Sequence, residues 1–150
     1  MQPVTKGLLA GAAGTTALNL TSYADMPLRG RPSSDTPAQV ADRLVDRTDI
    51  DLGDDETKSH REQAVGALLG YVTGLGVGAA NGLMRRDGGP PSVWAAGPLL
   101  GAGAMAGSDL PAAALGVTDP ATWDLTSWAS DVVPHLAYGS TAACVYRALC

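Results

Sequence analysis

Asp131 and His135 stand one helical turn apart, and with Tyr138 and Ala142 they follow an i, i+4, i+7, i+11 spacing that puts all four on one face of a helix. A carboxylate and an imidazole so placed can share a proton or a hydrogen bond. In an apolar interior such pairs serve proton relays and substrate sites. Asp109 joins them as a candidate because it is a lone carboxylate between Gly107 and Pro111 in an otherwise apolar stretch, where a charge is expensive to keep. The same residues also have a structural reading. Pro134 removes a backbone donor, Ser130 and Asp131 can satisfy the freed groups, and His135 can bond across to another helix. Asn19 and Asn81 are candidates for interhelical hydrogen bonds, worth ~0.6 kcal/mol each on average in a membrane.

Other chemistry finds little support. His60 and His135 lie far apart, and there is no CxxC or HExxH, so no metal site is expected. Asp49, Asp51, Asp54, Asp55 and Glu56 lack the ligand alternation of a calcium loop and read as a solvated turn capping the helix that follows. Gly74, Gly76 and Gly78 mimic a nucleotide loop, but no Lys-Ser or Lys-Thr follows them. There is no GxSxG, so the chain carries no enzyme signature and no cofactor is expected. A net charge of −5 and a pI near 4.7 argue against a nucleic-acid partner. Cys144 and Cys150 fall on different helical faces and read as small apolar residues rather than a bridge.

The elements that must position these residues are organised around residues 62–86, EQAVGALLGYVTGLGVGAANGLMRR, in which Gly66, Gly70, Gly74, Gly78 and Gly82 recur every fourth residue. In a helix that spacing makes one glycine face. In water each interior glycine costs ~1 kcal/mol against alanine. In lipid the same face admits a second helix at close range, where van der Waals contact drives association. The spacing therefore predicts a membrane helix over 57–86, closed at an interface by Arg85 and Arg86. Gly97 and Gly101 offer a second close-packing surface on a helix over 92–116, kinked near 107–111. The tight Asp87-Gly88-Gly89-Pro90-Pro91 link makes these two helices antiparallel neighbours, and the two glycine surfaces are expected to meet.

The first helix covers 4–26, with its own small face at Gly7, Gly11 and Gly14 and with Thr15, Thr16, Asn19 and Thr21 facing protein. It is long enough to span ~30 Å of hydrocarbon; the alternative is a signal peptide cleaved after Ser22-Tyr23-Ala24. Arg29, Arg31 and Pro32 end it. A polar loop over 27–56 follows, holding a short amphipathic helix over 37–47: Thr36 is the N-cap, Pro37 is N1, Gln39 is N3, and Val40, Leu44 and Val45 form the stripe. The last helix covers 124–149 and bends at Pro134. Trp94, Trp123 and Trp128 fall near helix starts and Tyr146 near a helix end, as interfacial anchors do. The fold class expected is all-α, a four-helix transmembrane bundle with glycine-ladder packing and one amphipathic loop helix.

The segments Leu115-Gly116-Val117-Thr118-Asp119-Pro120, Asp124-Leu125, Ser130-Asp131-Val132 and His135-Leu136 resemble the YagU-like family of small inner-membrane proteins. The resemblance implies a multi-pass bacterial inner-membrane protein, draws attention to Asp131 and His135, and supplies no mechanism. The expectation is a structural or accessory subunit whose partners are the lipid bilayer and a second copy or a larger membrane complex. A small proton-coupled transporter or channel using Asp109, Asp131 and His135 is the alternative, and a soluble or secreted Ala/Gly-rich helical protein is a third possibility. Lys and Arg are nearly matched on the two sides once the long loop is discounted, so they do not select an orientation.

Overall fold

The computed structural model describes residues 1–48, 50–85 and 92–150. Asp49 of the acidic cluster, Arg86 and the 87–91 link lie outside the described residues. The chain is all-α: α1 is Pro3–Arg29, α2 Thr36–Val45, α3 Asp55–Met84, α4 Val93–Ala114 and α5 Leu125–Ala148, with a single 3-10 turn at Pro120–Thr122. No strand occurs among the described residues.

Local chemistry accounts for most helix ends. The Asp54 carboxylate accepts the Thr57 amide at 3.0 Å to start α3, and the Asp124 carboxylate accepts the Ser127 amide at 2.7 Å to start α5. Asp119 caps the 3-10 turn by accepting the Ala121 amide. α1 runs on through Pro27 and stops at Gly30, whose φ of +63° suits a residue without a Cβ, while the Arg31 amide returns to the Met26 carbonyl. The stop is thus the glycine rather than Arg29, Arg31 and Pro32. α2 starts one residue earlier than its sequence suggests, with Asp35 at the N-cap and Thr36 already helical. α4 continues without a break through Gly107 and Pro111 to Ala114. Pro111 gives up the amide bond to the Gly107 carbonyl without ending the helix.

Packing joins α1 to α3, α1 to α5 and α4 to α5, each pair antiparallel. The α3 glycines therefore do not meet α4. A Cβ built on Gly11 would stand 2.5 Å from the Gly74 carbonyl oxygen, and one on Gly78 would stand 2.7 Å from Gly11 Cα. Gly7 lies against Gly78 and Gly82, and Gly82 against Pro3 and Val4. Gly97 and Gly101 of α4 face α5 instead: a Cβ on Gly101 would stand 2.6 Å from the His135 carbonyl oxygen, and Gly139 fits between the two α4 glycines. The ladder chooses α1 because α1 brings a second row of glycines in matching register. α3 and α4 still touch, but through side chains, with Thr73 under Gly107 and Val77 under Gly103. Gly66 serves a different partner, α2, whose Pro37 carbonyl would be 2.6 Å from an added Cβ; Gly70 faces open space.

α2 lies along the first half of α3, with Ala41 fully buried and Leu44 exposed. The buried stripe is thus shifted off Leu44, with Ala41 turned inward and the Pro37–Ala38 backbone seated on Gly66. Lys58 clamps it, with Nζ 2.7 Å from Asp42 Oδ1 and 3.4 Å from Glu62 Oε1. The Lys58 ammonium holds the Asp42 carboxyl below its usual range.

The contrast between Gly78 and Gly70 is directly testable. Gly78→Ala drives a methyl into the α1 backbone and is expected to lower bundle stability by ~1–3 kcal/mol. Gly70→Ala is expected to leave it unchanged or raise it by up to ~1 kcal/mol. Thermal unfolding of both variants in one detergent reads the difference, and identical melting would contradict the packing described.

Candidate functional site

Three of the four polar candidates meet where α4 crosses α5. His135 Nδ1 lies 2.8 Å from the Asp131 carbonyl oxygen and 3.5 Å from Asp131 Oδ1. Both neighbours are acceptors, so this geometry suits the tautomer with the proton on Nδ1. The ring's Nε2 stands 3.5 Å from Ser108 Oγ on α4. Ser108 Oγ in turn lies 2.9 Å from the Met105 carbonyl and 3.4 Å from Asp109 Oδ1. Ser108 thus stands between Asp109 on its own helix and His135 on α5, which in turn meets Asp131. Exposure is limited, at 13% for the His135 side chain and 23% for that of Asp131. Asp131 Oδ2 has almost no accessible surface and no hydrogen-bond partner among the described residues.

The backbone explains why these groups meet. Gly101 lets α4 approach the His135 carbonyl closely, and seven residues further along α4 Ser108 comes level with the His135 ring. Ser108 carries no motif; its signal was only a hydroxyl beside the one carboxylate of an apolar helix.

Tyr138, the fourth candidate, is not part of this group. Its side chain points away from α4, into the junction of α1, α3 and α5, where it is completely buried. Three residues turn a helix through roughly 300°, so Tyr138 diverges from His135 by about 60°, enough to face different neighbours. The ring occupies a slot opened by two glycines: a Cβ on Gly14 would stand 2.7 Å from Cδ2, and one on Gly74 would stand 3.3 Å from Cε2. The hydroxyl donates to the Gly74 carbonyl at 2.6 Å. Its proton is committed to holding three helices together.

The remaining polar residues are satisfied locally. Thr15, Thr16 and Thr21 each return their hydroxyl proton to the carbonyl four residues back. Buried Asn81 accepts from Arg85 Nε at 2.9 Å on its own helix, so it makes no interhelical bond there. Asp25 binds Arg29 and Arg31, and Arg29 reaches across to Ser130 Oγ, tying α1 to α5 beside the α4–α5 cluster. Trp123 donates to Thr118 Oγ1 and stacks edge-on against Trp128 at 5.1 Å. Tyr146 is buried. No group of three or more metal-ligating side chains occurs among the described residues.

In comparison with known proteins, no family model, no curated protein and no solved structure matches the chain.

The separation of Tyr138 from the α4–α5 group has a measurable consequence. Tyr138→Phe removes one buried interhelical hydrogen bond and is expected to cost ~1 kcal/mol of stability, while leaving the His135 ring nitrogens unchanged by 15N NMR. A shifted His135 resonance in that variant would place Tyr138 in the cluster after all.

Proposed function

We propose that the chain is an integral membrane protein of the bacterial inner membrane, a structural or accessory subunit that packs with itself or within a larger membrane complex. One observation carries this reading: side-chain size is inverted between inside and outside. Most buried positions are Gly and Ala, including Ala10, Ala96, Ala104, Ala142 and Ala143; beside them Leu100 and Tyr146 are buried, and Tyr138 is the largest fully buried side chain. Leu68, Val72, Leu83, Leu99, Leu110 and Trp94 point outward, Leu99 at 70% and Trp94 at 92% exposure. In water this arrangement forfeits apolar burial worth about 25 cal/mol per Å². In lipid nothing is forfeited, because the surroundings are as apolar as leucine and close backbone contact supplies the attraction.

Among the described residues only α3 is by itself long and apolar enough to cross a membrane, and 17% of its apolar window is buried. In α1, α4 and α5, Gly, Ala, Ser and Thr dilute the apolar character, so each crosses as a partner of its neighbour rather than as a free span. α2 then lies on the side where α1 ends and α3 begins. Trp94 anchors one face of the bilayer and the Trp123–Trp128 pair the other. The outward face of α3, with Gly70 and Gly76 open beside its leucines, is the surface for a second copy. The resemblance to the YagU-like proteins points to the same multi-pass topology. A second reading, a small proton-coupled transporter or channel, is favoured by the meeting of Asp109, Asp131 and His135.

A carbonate wash of isolated membranes tests the first reading. The tagged chain is expected to stay in the pellet and to leave it only with detergent. Release into the supernatant would overturn the membrane assignment.

A further inference from the structure

We propose that the groove between α1 and α5 binds one anionic phospholipid, with its phosphate against Arg29 and Arg31 and an acyl chain along the apolar wall beside them. The site presupposes the bilayer reading and names a ligand for one face of that bundle. Beyond the contact of Gly14 with Tyr138, a groove of about 650 Å³ opens between the two helices. Leu20, Ala24 and Leu28 of α1 and Ala129 and Val133 of α5 line it. Leu20, Leu28 and Val133 are exposed, so no described part of the chain covers them. From Leu20 to Leu28 the wall runs about 12 Å along the helix, room for the upper part of one acyl chain.

The polar end of the groove carries an excess of positive charge. One carboxylate, Asp25, holds two guanidinium groups, with Arg29 Nε 2.6 Å from Oδ1 and Arg31 Nε 2.5 Å from Oδ2. Arg29 Nη2 also donates to Ser130 Oγ at 2.5 Å, and Ser130 passes its own proton to the Thr126 carbonyl. Among the described residues no second carboxylate pairs with either arginine. Asp131, next to Ser130, meets His135, and Asp124 caps α5. Arg29 Nη1 and Arg31 Nη2 have no protein partner among the described residues, which leaves donors on both arginines for a phosphate. Asp25 already fixes both guanidiniums, so little freedom is lost on binding. The Trp123–Trp128 pair lies at the same end of α5, at the depth where headgroups sit. A helix of a second copy in the groove would bury the surplus charge unpaired, whereas a phosphate neutralises it.

Native mass spectrometry of the full chain in detergent, titrated with phosphatidylglycerol and with phosphatidylcholine of the same acyl chains, tests the site. One phosphatidylglycerol per chain is expected, retained roughly fivefold over phosphatidylcholine. R29Q/R31Q should abolish the preference, and A129L, which fills the groove, should release the lipid. R147Q removes a charge at the far end of α5 and should keep the preference. The wild-type titration decides the question even where a variant does not fold: equal retention of the two lipids overturns the site. A preference that survives R29Q/R31Q overturns it equally, as does a lipid-free dimer that A129L dissociates. A chain that stays in carbonate-washed membranes without the preference loses this site and keeps its bilayer assignment; a chain released by carbonate loses both.

Discussion

Backbone-to-backbone contact between helices is the constraint on which the rest of this structure depends. At Gly11 and Gly78, and at Gly101 and Gly139, one helix lies so close to the next that a single methyl group would collide with main chain. Such contacts fix the spacing of α1 against α3 and of α4 against α5. They also leave little room inside, so most of the large apolar side chains are pushed outward and Leu100 is the one buried leucine among the described residues. The largest fully buried side chain, Tyr138, fits because Gly14 and Gly74 open a slot for its ring and the Gly74 carbonyl takes its proton. Size inversion, the membrane reading and the three-helix junction are consequences of the same close approach.

Close approach also governs the polar groups. A helix carrying threonine can face a crowded interior because each hydroxyl returns its proton to its own backbone, as Thr15 does to Gly11. Asn81 finds Arg85 one turn away. Asp54, Asp119 and Asp124 are spent on capping helix ends. Asp109 and Asp131 are the exception, since neither caps a helix nor meets a fixed cation. They are brought to one crossing by the contact that seats Gly101 against His135, so the polar cluster is a product of the packing and not an addition to it.

Much of this was legible in the chain. Glycine at every fourth residue, the capping aspartates and the proline–glycine punctuation located the helices to within a few residues. Asp131 and His135 were recognisable as a pair because both lie on one helix. The partnering of the helices was not legible. α1, α3 and α4 carry similar rows of small residues, and only three-dimensional register decides that Gly74 and Gly78 fit α1. Gly139, which receives the α4 glycines, had no ladder around it to mark it. Periodicity also misplaced Tyr138. Residues within 60° of one another share a face on a helical projection, yet α5 has different neighbours on either side of that arc. Gly30 and Pro111 show a smaller limit of the same kind: the left-handed backbone at Gly30 ends α1, whereas α4 continues through Pro111.

The most direct test of this account is a solid-state NMR measurement of glycine–glycine contacts in the assembled protein, with 13C-glycine throughout the chain. Cross-peaks between Gly11 and Gly78 and between Gly101 and Gly139 are predicted, with none joining the α3 glycines to Gly97 or Gly101. Cross-peaks from Gly74 or Gly78 to Gly97 or Gly101 would contradict it, because α3 and α4 would then be the backbone-contact pair and the junction at Tyr138 could not form.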